Sequence, residues 1–111
     1  MTREELHALV TALPLVEPGT THGRPSYKAA GKFLTRVRDE DDSLVVYLDS
    51  IDEREMLIEA EPQTFHLTDH YRGYPIVLAR LETVDPDWLR AKLTARWRKL
   101  VPARARKAYG L

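Results

Sequence analysis

The chain has 111 residues, no cysteine, and 17 basic against 17 acidic side chains, for a formal net charge of zero. That length is one domain, residues 1–111, around a single core, and the missing cysteine excludes a disulfide framework, a thiol nucleophile and a thiolate metal site. Zero net charge argues against strong non-specific binding of nucleic acid through total charge, and no run approaches the roughly 20 apolar residues of a membrane span.

The N-terminus, MTREELHALV, is charged and amphipathic and has no apolar stretch of signal-peptide length. The expectation is a soluble, cytoplasmic protein without a targeting segment. The charge is unevenly placed. From Trp88 onward there are eight cations and no acid, which leaves nine cations against all 17 acids in the preceding residues. A basic C-terminal element follows an acidic body.

Thr2 to Glu5 reads as a capping box, and Leu6, Leu9, Val10 and Leu13 follow at helical spacing. Pro14 stops that helix. His7 stands beside its apolar stripe and reads as a boundary histidine. Leu15 to Pro25, rich in Gly and Pro, is expected to be a loop. Ser26 to Ala30 can be a short strand with Tyr27 and Ala29 on one face, and Gly31-Lys32 looks like a tight hairpin turn. Phe33 to Arg38 alternates as one strand. Asp39 to Ser43 is an acidic turn that lacks the glycine and distal glutamate of a calcium loop. Leu44 to Leu48 reads as a strand buried on both sides.

Ser50 to Glu53 is a second capping box, opening a helix through Ala60 whose apolar residues are Met56, Leu57 and Ala60. Then comes the stretch from Phe65 to Leu81, expected to be the central hairpin. Phe65 to Thr68 begins it, Asp69 to Pro75 breaks it, and Ile76 to Ala79 is the most apolar strand of the chain. Asp85 as N-cap and Pro86 at the first helical position start the last helix. Its buried stripe is Leu89, Leu93, Trp97 and Leu100. Arg96 falls near the middle of that stripe, so it either snorkels past the sheet or is aimed at something. The residues after Pro102 form a short basic tail.

The order is α-β3-α-β2-α. It implies an α+β fold of two layers, with an antiparallel sheet of about five strands and the terminal helices on one face.

Particular residues within that order resemble the MmcQ/YjbR family. They are Leu13-Pro14 with Glu17, then Thr21-His22-Gly23-Arg24-Pro25 leading into Tyr27-Lys28, and Gly31-Lys32-Phe33. Further on come Leu57, Phe65, Gly73-Tyr74-Pro75 with Val77-Leu78, and Leu89, Leu93, Trp97 and Val101. The resemblance spans essentially the whole chain, and its most specific pieces look like fold-defining turns. It implies a compact fold akin to that of the bacterial frataxin homologue. It also implies the family's label of DNA binding through a double wing, two β-hairpins that meet nucleic acid. Arg96 departs from the family, which often has a small polar residue there.

Catalysis has little to rest on. Ser26, Ser43 and Ser50 sit in turns or caps without a glycine-flanked elbow, and no glycine-rich phosphate loop is present. His66 and His70 have the spacing of a helical metal pair, but here they fall on a strand and its turn. With His22 and Asp69 they could assemble a site in space, but no ligand set has metal spacing, so no metal and no cofactor are expected. The expected activity is non-enzymatic DNA binding. Its contacts would be Lys28, Lys32, Arg36, Arg38 and Arg72 on phosphates, Tyr71 and Tyr74 stacked on bases, and Arg96 on the basic last helix. The alternative is a module that binds a protein or a small ligand.

Overall fold

The computed structural model describes residues 1–111. Helix α1 spans Arg3–Thr11. Its capping box is complete: the Glu5 amide donates to the Thr2 hydroxyl at 3.0 Å, and the Thr2 amide donates to the Glu5 carboxylate at 3.1 Å. Those bonds satisfy amides that the first helical turn leaves without partners. Leu6 and Val10, one turn apart, are fully buried.

The stretch expected to be a loop carries strand β1, Val16–Thr21, paired antiparallel with β2, Arg24–Ala29. Pro18 and Gly19 hide the strand in the sequence. They are tolerated because β1 is an edge strand, where a missing N–H need not break a ladder. The turn between β1 and β2 is His22-Gly23, with φ of 52° and 76°. The next turn, into β3 at Lys32–Thr35, is Ala30-Gly31, with φ of 50° and 79°. Positive φ at both central residues is what a two-residue type I′ hairpin requires. The second turn thus lies one residue earlier than Gly31-Lys32.

What reads as one strand from Phe33 to Arg38 serves two sheets. Strands β1, β2 and β3 form the first. At Arg36 the chain leaves it, and Val37–Arg38 is β4 of the second sheet. The joint is pinned to β5, Ser43–Tyr47, from both sides. The Thr35 hydroxyl donates to the Val45 carbonyl at 2.6 Å, and the Val45 amide donates to the Arg36 carbonyl at 3.1 Å. The second sheet runs β4-β5-β7-β6, with β6 at Phe65–His66 and β7 at Ile76–Arg80. Every pairing in both sheets is antiparallel. The α+β class and the antiparallel pairing match the sequence reading. The strands number seven in two sheets, because the β1 strand and the break at Arg36 were invisible in the pattern.

Helix α3, Pro86–Leu100, starts as expected, with the Asp87 amide donating to the Asp85 carboxylate at 3.0 Å and Pro86 in the first turn. Leu89, Leu93, Trp97 and Leu100 are all buried. The Trp97 indole N–H donates to the Pro14 carbonyl at 2.7 Å, which fastens α3 to the turn that follows α1. Helices α1 and α3 pack together on one side of the sheets, and their apolar faces merge with Leu34, Leu44, Val46, Val77 and Ala79 into the main core.

Helix α2, Ile51–Ala60, departs from expectation. Met56 is 69% exposed and Ala60 faces solvent, while Leu57 and Ile58 rest against the core and Arg54 is the buried residue. The basic tail also has structure, a short helix α4 at Ala103–Ala108. No helix is long and apolar enough to cross a membrane.

The opposite side of the second sheet is different. Val45, Ile76 and Leu78 form a small separate cluster, and their apolar cover is three rings, Phe33, Tyr47 and Tyr71.

Candidate nucleic-acid interface

Alternation of side chains along β5 and β7 sends Leu44, Val46, Val77 and Ala79 to the helices, and Val45, Tyr47, Ile76 and Leu78 to the other side. Phe33 on β3 and Tyr71 on a 3-10 turn at Asp69–Tyr71 close over that second face. A groove of about 480 Å³ runs across it. Its walls bring together Phe33, Tyr47 and Tyr71 with His22, Arg24, Arg36, Arg38 and His70.

The arginines of the groove differ in how far they are neutralised. Arg38 is 12% exposed and meets Glu40 at 3.1 Å and Asp41 at 3.6 Å. The same arginine holds the Glu40 carboxyl below its usual range. Arg24 has only Glu40 at 3.6 Å, and both of those side chains are at least half exposed. Arg36 has no carboxylate within 4 Å; its guanidinium donates to the Tyr71 hydroxyl at 3.4 Å. An uncompensated guanidinium between partly exposed aromatic rings can meet a phosphate while the rings meet bases.

Three of the sequence-predicted residues therefore converge in the groove: Arg36, Arg38 and Tyr71. The others lie elsewhere. Lys28 stands opposite Phe33 across the ladder and so shares its face, and Lys32 is exposed at the start of β3; neither has a carboxylate within 4 Å. Arg72 is paired with Asp69 at 2.6 Å, which raises the arginine's pKa. Tyr74 is 57% exposed and does not line the groove. Arg96 has a target: its guanidinium lies 3.8 Å from the centroid of the Tyr47 ring and donates to the Phe33 carbonyl at 3.4 Å. It lines a separate cavity of about 310 Å³ with Lys92 and Lys99 and braces the groove's rings without entering the groove. The last helix is less cationic than its composition, because Lys92 is paired with Glu53, Arg90 with Asp87 and Lys99 with Asp49.

Sequence reasoning missed Arg54. It is 3% exposed, and its guanidinium donates to the carbonyls of Tyr74 at 2.8 Å, Arg72 at 3.2 Å and Tyr71 at 3.3 Å. One buried side chain thus fixes the loop that carries Tyr71. The signal was its place on the inward face of α2, three and four residues before Leu57 and Ile58.

The histidines do not assemble a site. The His66 imidazole shares one nitrogen, Nε2, between the Ser43 hydroxyl at 2.8 Å and Asp41 at 3.4 Å. A serine–histidine–acid relay needs the two partners on opposite nitrogens. Burial, with help from Arg80, pushes the His66 pKa down. His70 lies edge-on to Tyr71 with ring centroids 4.7 Å apart. No three His, Asp or Glu side chains converge in a way that could hold a metal ion.

Comparison with known families gives one finding: the model of the YjbR family matches residues 11–99. That span begins at the end of α1 and closes within α3, so it includes both sheets and every residue that lines the groove. No curated protein and no solved structure matches the chain.

Proposed function

The chain belongs to the MmcQ/YjbR family, and from that premise and the chemistry of the groove we propose that it binds DNA without catalysing a reaction. The observation that carries this reading is the uncompensated Arg36, set among Phe33, Tyr47 and Tyr71 on the sheet face opposite the main core. The β1–β2 and β2–β3 hairpins share β2 and flank the groove as its wings, with Lys28 on the face of Phe33 and Lys32 exposed at the start of β3. Binding comes from this local patch, since total charge is zero.

Titration of mixed-sequence single strands and duplex at several salt concentrations tests the reading. Neutralisation of three phosphates, by Arg24, Arg36 and Lys28, gives a log–log salt slope of about −2 on single strands. Arg36→Ala should reduce that slope by about 0.7. Tyr71→Ala should keep the slope and weaken binding by about 1–3 kcal/mol, the usual worth of one stacked base. Circular dichroism confirms that each variant folds. Failure of the folded protein to bind either form at low salt would falsify the proposal.

A further inference from the structure

Another cavity, of about 410 Å³, lies on the far face of the first sheet, between α1 and the β1–β2 hairpin. That volume is in the range of small-molecule sites. Pro18, Pro25 and the Tyr27 ring give it flat apolar walls. Arg24 and Arg36 reach it as well as the groove, because Arg36 is the joint between the sheets and Arg24 begins β2 beside a turn.

The charge balance inside is positive. Asp39 is the one acid on the wall, and Arg3 holds it at 2.7 Å while also holding Asp42 at 2.7 Å. Arg24 has only the exposed Glu40 at 3.6 Å, and Arg36 has no carboxylate. Arg36 is therefore left over, and Arg24 is held only by one exposed carboxylate at the edge of ion-pair range. His7 Nδ1 and the Tyr27 hydroxyl are 2.8 Å apart on the same wall, and burial keeps the phenol protonated by raising its pKa. Two guanidinium groups on the wall of one cavity, with a neutral phenol and flat apolar walls, match an anionic head on a flat body.

We infer that this cavity binds a phosphate monoester with a flat apolar body, its phosphate on Arg24 and Arg36 and its body against Pro18, Pro25 and Tyr27. Such a ligand draws on the same two arginines as the groove, so it opposes nucleic-acid binding, and nucleic acid opposes it to the same degree. This last consequence alone rests on the DNA-binding reading.

Amide and side-chain NMR of the full chain, titrated with phenyl phosphate, decides the matter, with inorganic phosphate and phenol as controls. Phenyl phosphate should shift Gly19, Ser26, Tyr27 and the His7 ring saturably in the millimolar range. Phosphate should act more weakly at the same residues, and phenol should leave them unmoved. Arg24→Ala should weaken binding about tenfold, the worth of one charge-assisted hydrogen bond. Arg3→Gln, which leaves Asp39 unneutralised, should weaken it as well, and Trp fluorescence shows whether both variants are folded. Shifts centred on Tyr47 and Tyr71, no saturation, or equal binding by folded Arg24→Ala overturns the inference. In a separate arm, phenyl phosphate should displace single-stranded DNA, and phenol should not. If DNA does not bind at all, the groove reading falls while the NMR titration still judges the cavity.

Discussion

The two faces of the second sheet are built from alternate residues of the same strands, yet they differ in kind. On the helix side, Leu44, Val46, Val77 and Ala79 meet Leu89, Leu93 and Trp97 in one continuous core. On the other, Val45, Ile76 and Leu78 have only Phe33, Tyr47 and Tyr71 over them, with arginines around the rings. Each buried Leu or Val contributes about 1.5–3 kcal/mol. Most of the apolar burial, and with it most of the stability, therefore sits on the helix side. The open face has less apolar burial, and its rings and the Arg36 guanidinium stay partly exposed.

The largest expected effect tests that division directly. Leu89→Ala removes a fully buried side chain and should cost about 2–5 kcal/mol in a urea titration. That is a large part of the roughly 5–15 kcal/mol available to a domain. Phe33→Ala, on the partly exposed cover of the other face, should cost clearly less and weaken nucleic-acid binding. Equal losses from the two variants would erase the distinction between a structural and a recognition face.

A smaller effect should come from Arg54→Leu. It strips the donor from the carbonyls of Tyr71, Arg72 and Tyr74 at a buried position, for a cost of about 1–3 kcal/mol. Hydrogen exchange locates the loss. The amides of Tyr74 and Ile76, which donate within this loop, should lose protection while those of α3 keep theirs. DNA affinity should fall with no change in salt slope, because Arg54 positions Tyr71 and touches no phosphate. A uniform loss of protection across the chain would show that the loop is not a separable support of the open face.

These contrasts mark what the sequence could and could not disclose. Helix caps and the Leu89–Leu100 stripe are local patterns, and they appear where the residues place them. The buried runs of β5 and β7 announce themselves by composition. Strand β1 does not, because Pro18 and Gly19 erase its alternation and an edge strand needs little of it. Arg36, Arg38 and Tyr71 were named from residue type, but their meeting with Arg24, Phe33 and Tyr47 depends on cross-strand register and on the break at Arg36. Register between distant segments is set by packing, and no local spacing encodes it.

The hairpin turn at Ala30-Gly31 lies outside both faces and gives a backbone effect alone. Ala30 carries a φ of 50°, which costs a residue with a Cβ about 1–2 kcal/mol in the left-handed region. Ala30→Asn supplies the residue that type I′ turns favour and should raise stability by about 0.5–1 kcal/mol, with salt slope and DNA affinity unchanged. A loss of stability on thermal melting would mean that the turn is held by something other than its own torsion angles.

The smallest effect is one of pH, and it belongs to His66 on edge strand β6, whose ring reaches Ser43 of β5 and Asp41. Burial and Arg80 lower its pKa in the folded protein, and Asp41 opposes them in part. In the unfolded chain the imidazole titrates near its ordinary value of about 6.5. Below that pH the unfolded state takes up a proton that the folded state resists, so more protons are bound unfolded than folded. Stability then falls as pH falls through that window, and above it the contribution is flat. His66→Gln removes the titration and can still reach the Ser43 hydroxyl. Urea midpoints at about pH 8 and about pH 5.5 should therefore drop further in the unaltered protein than in the variant, the difference isolating His66 from the other histidines and the carboxylates. Should the variant prove the more acid-sensitive of the two, attraction to Asp41 outweighs burial, and protonated His66 strengthens this edge of the second sheet.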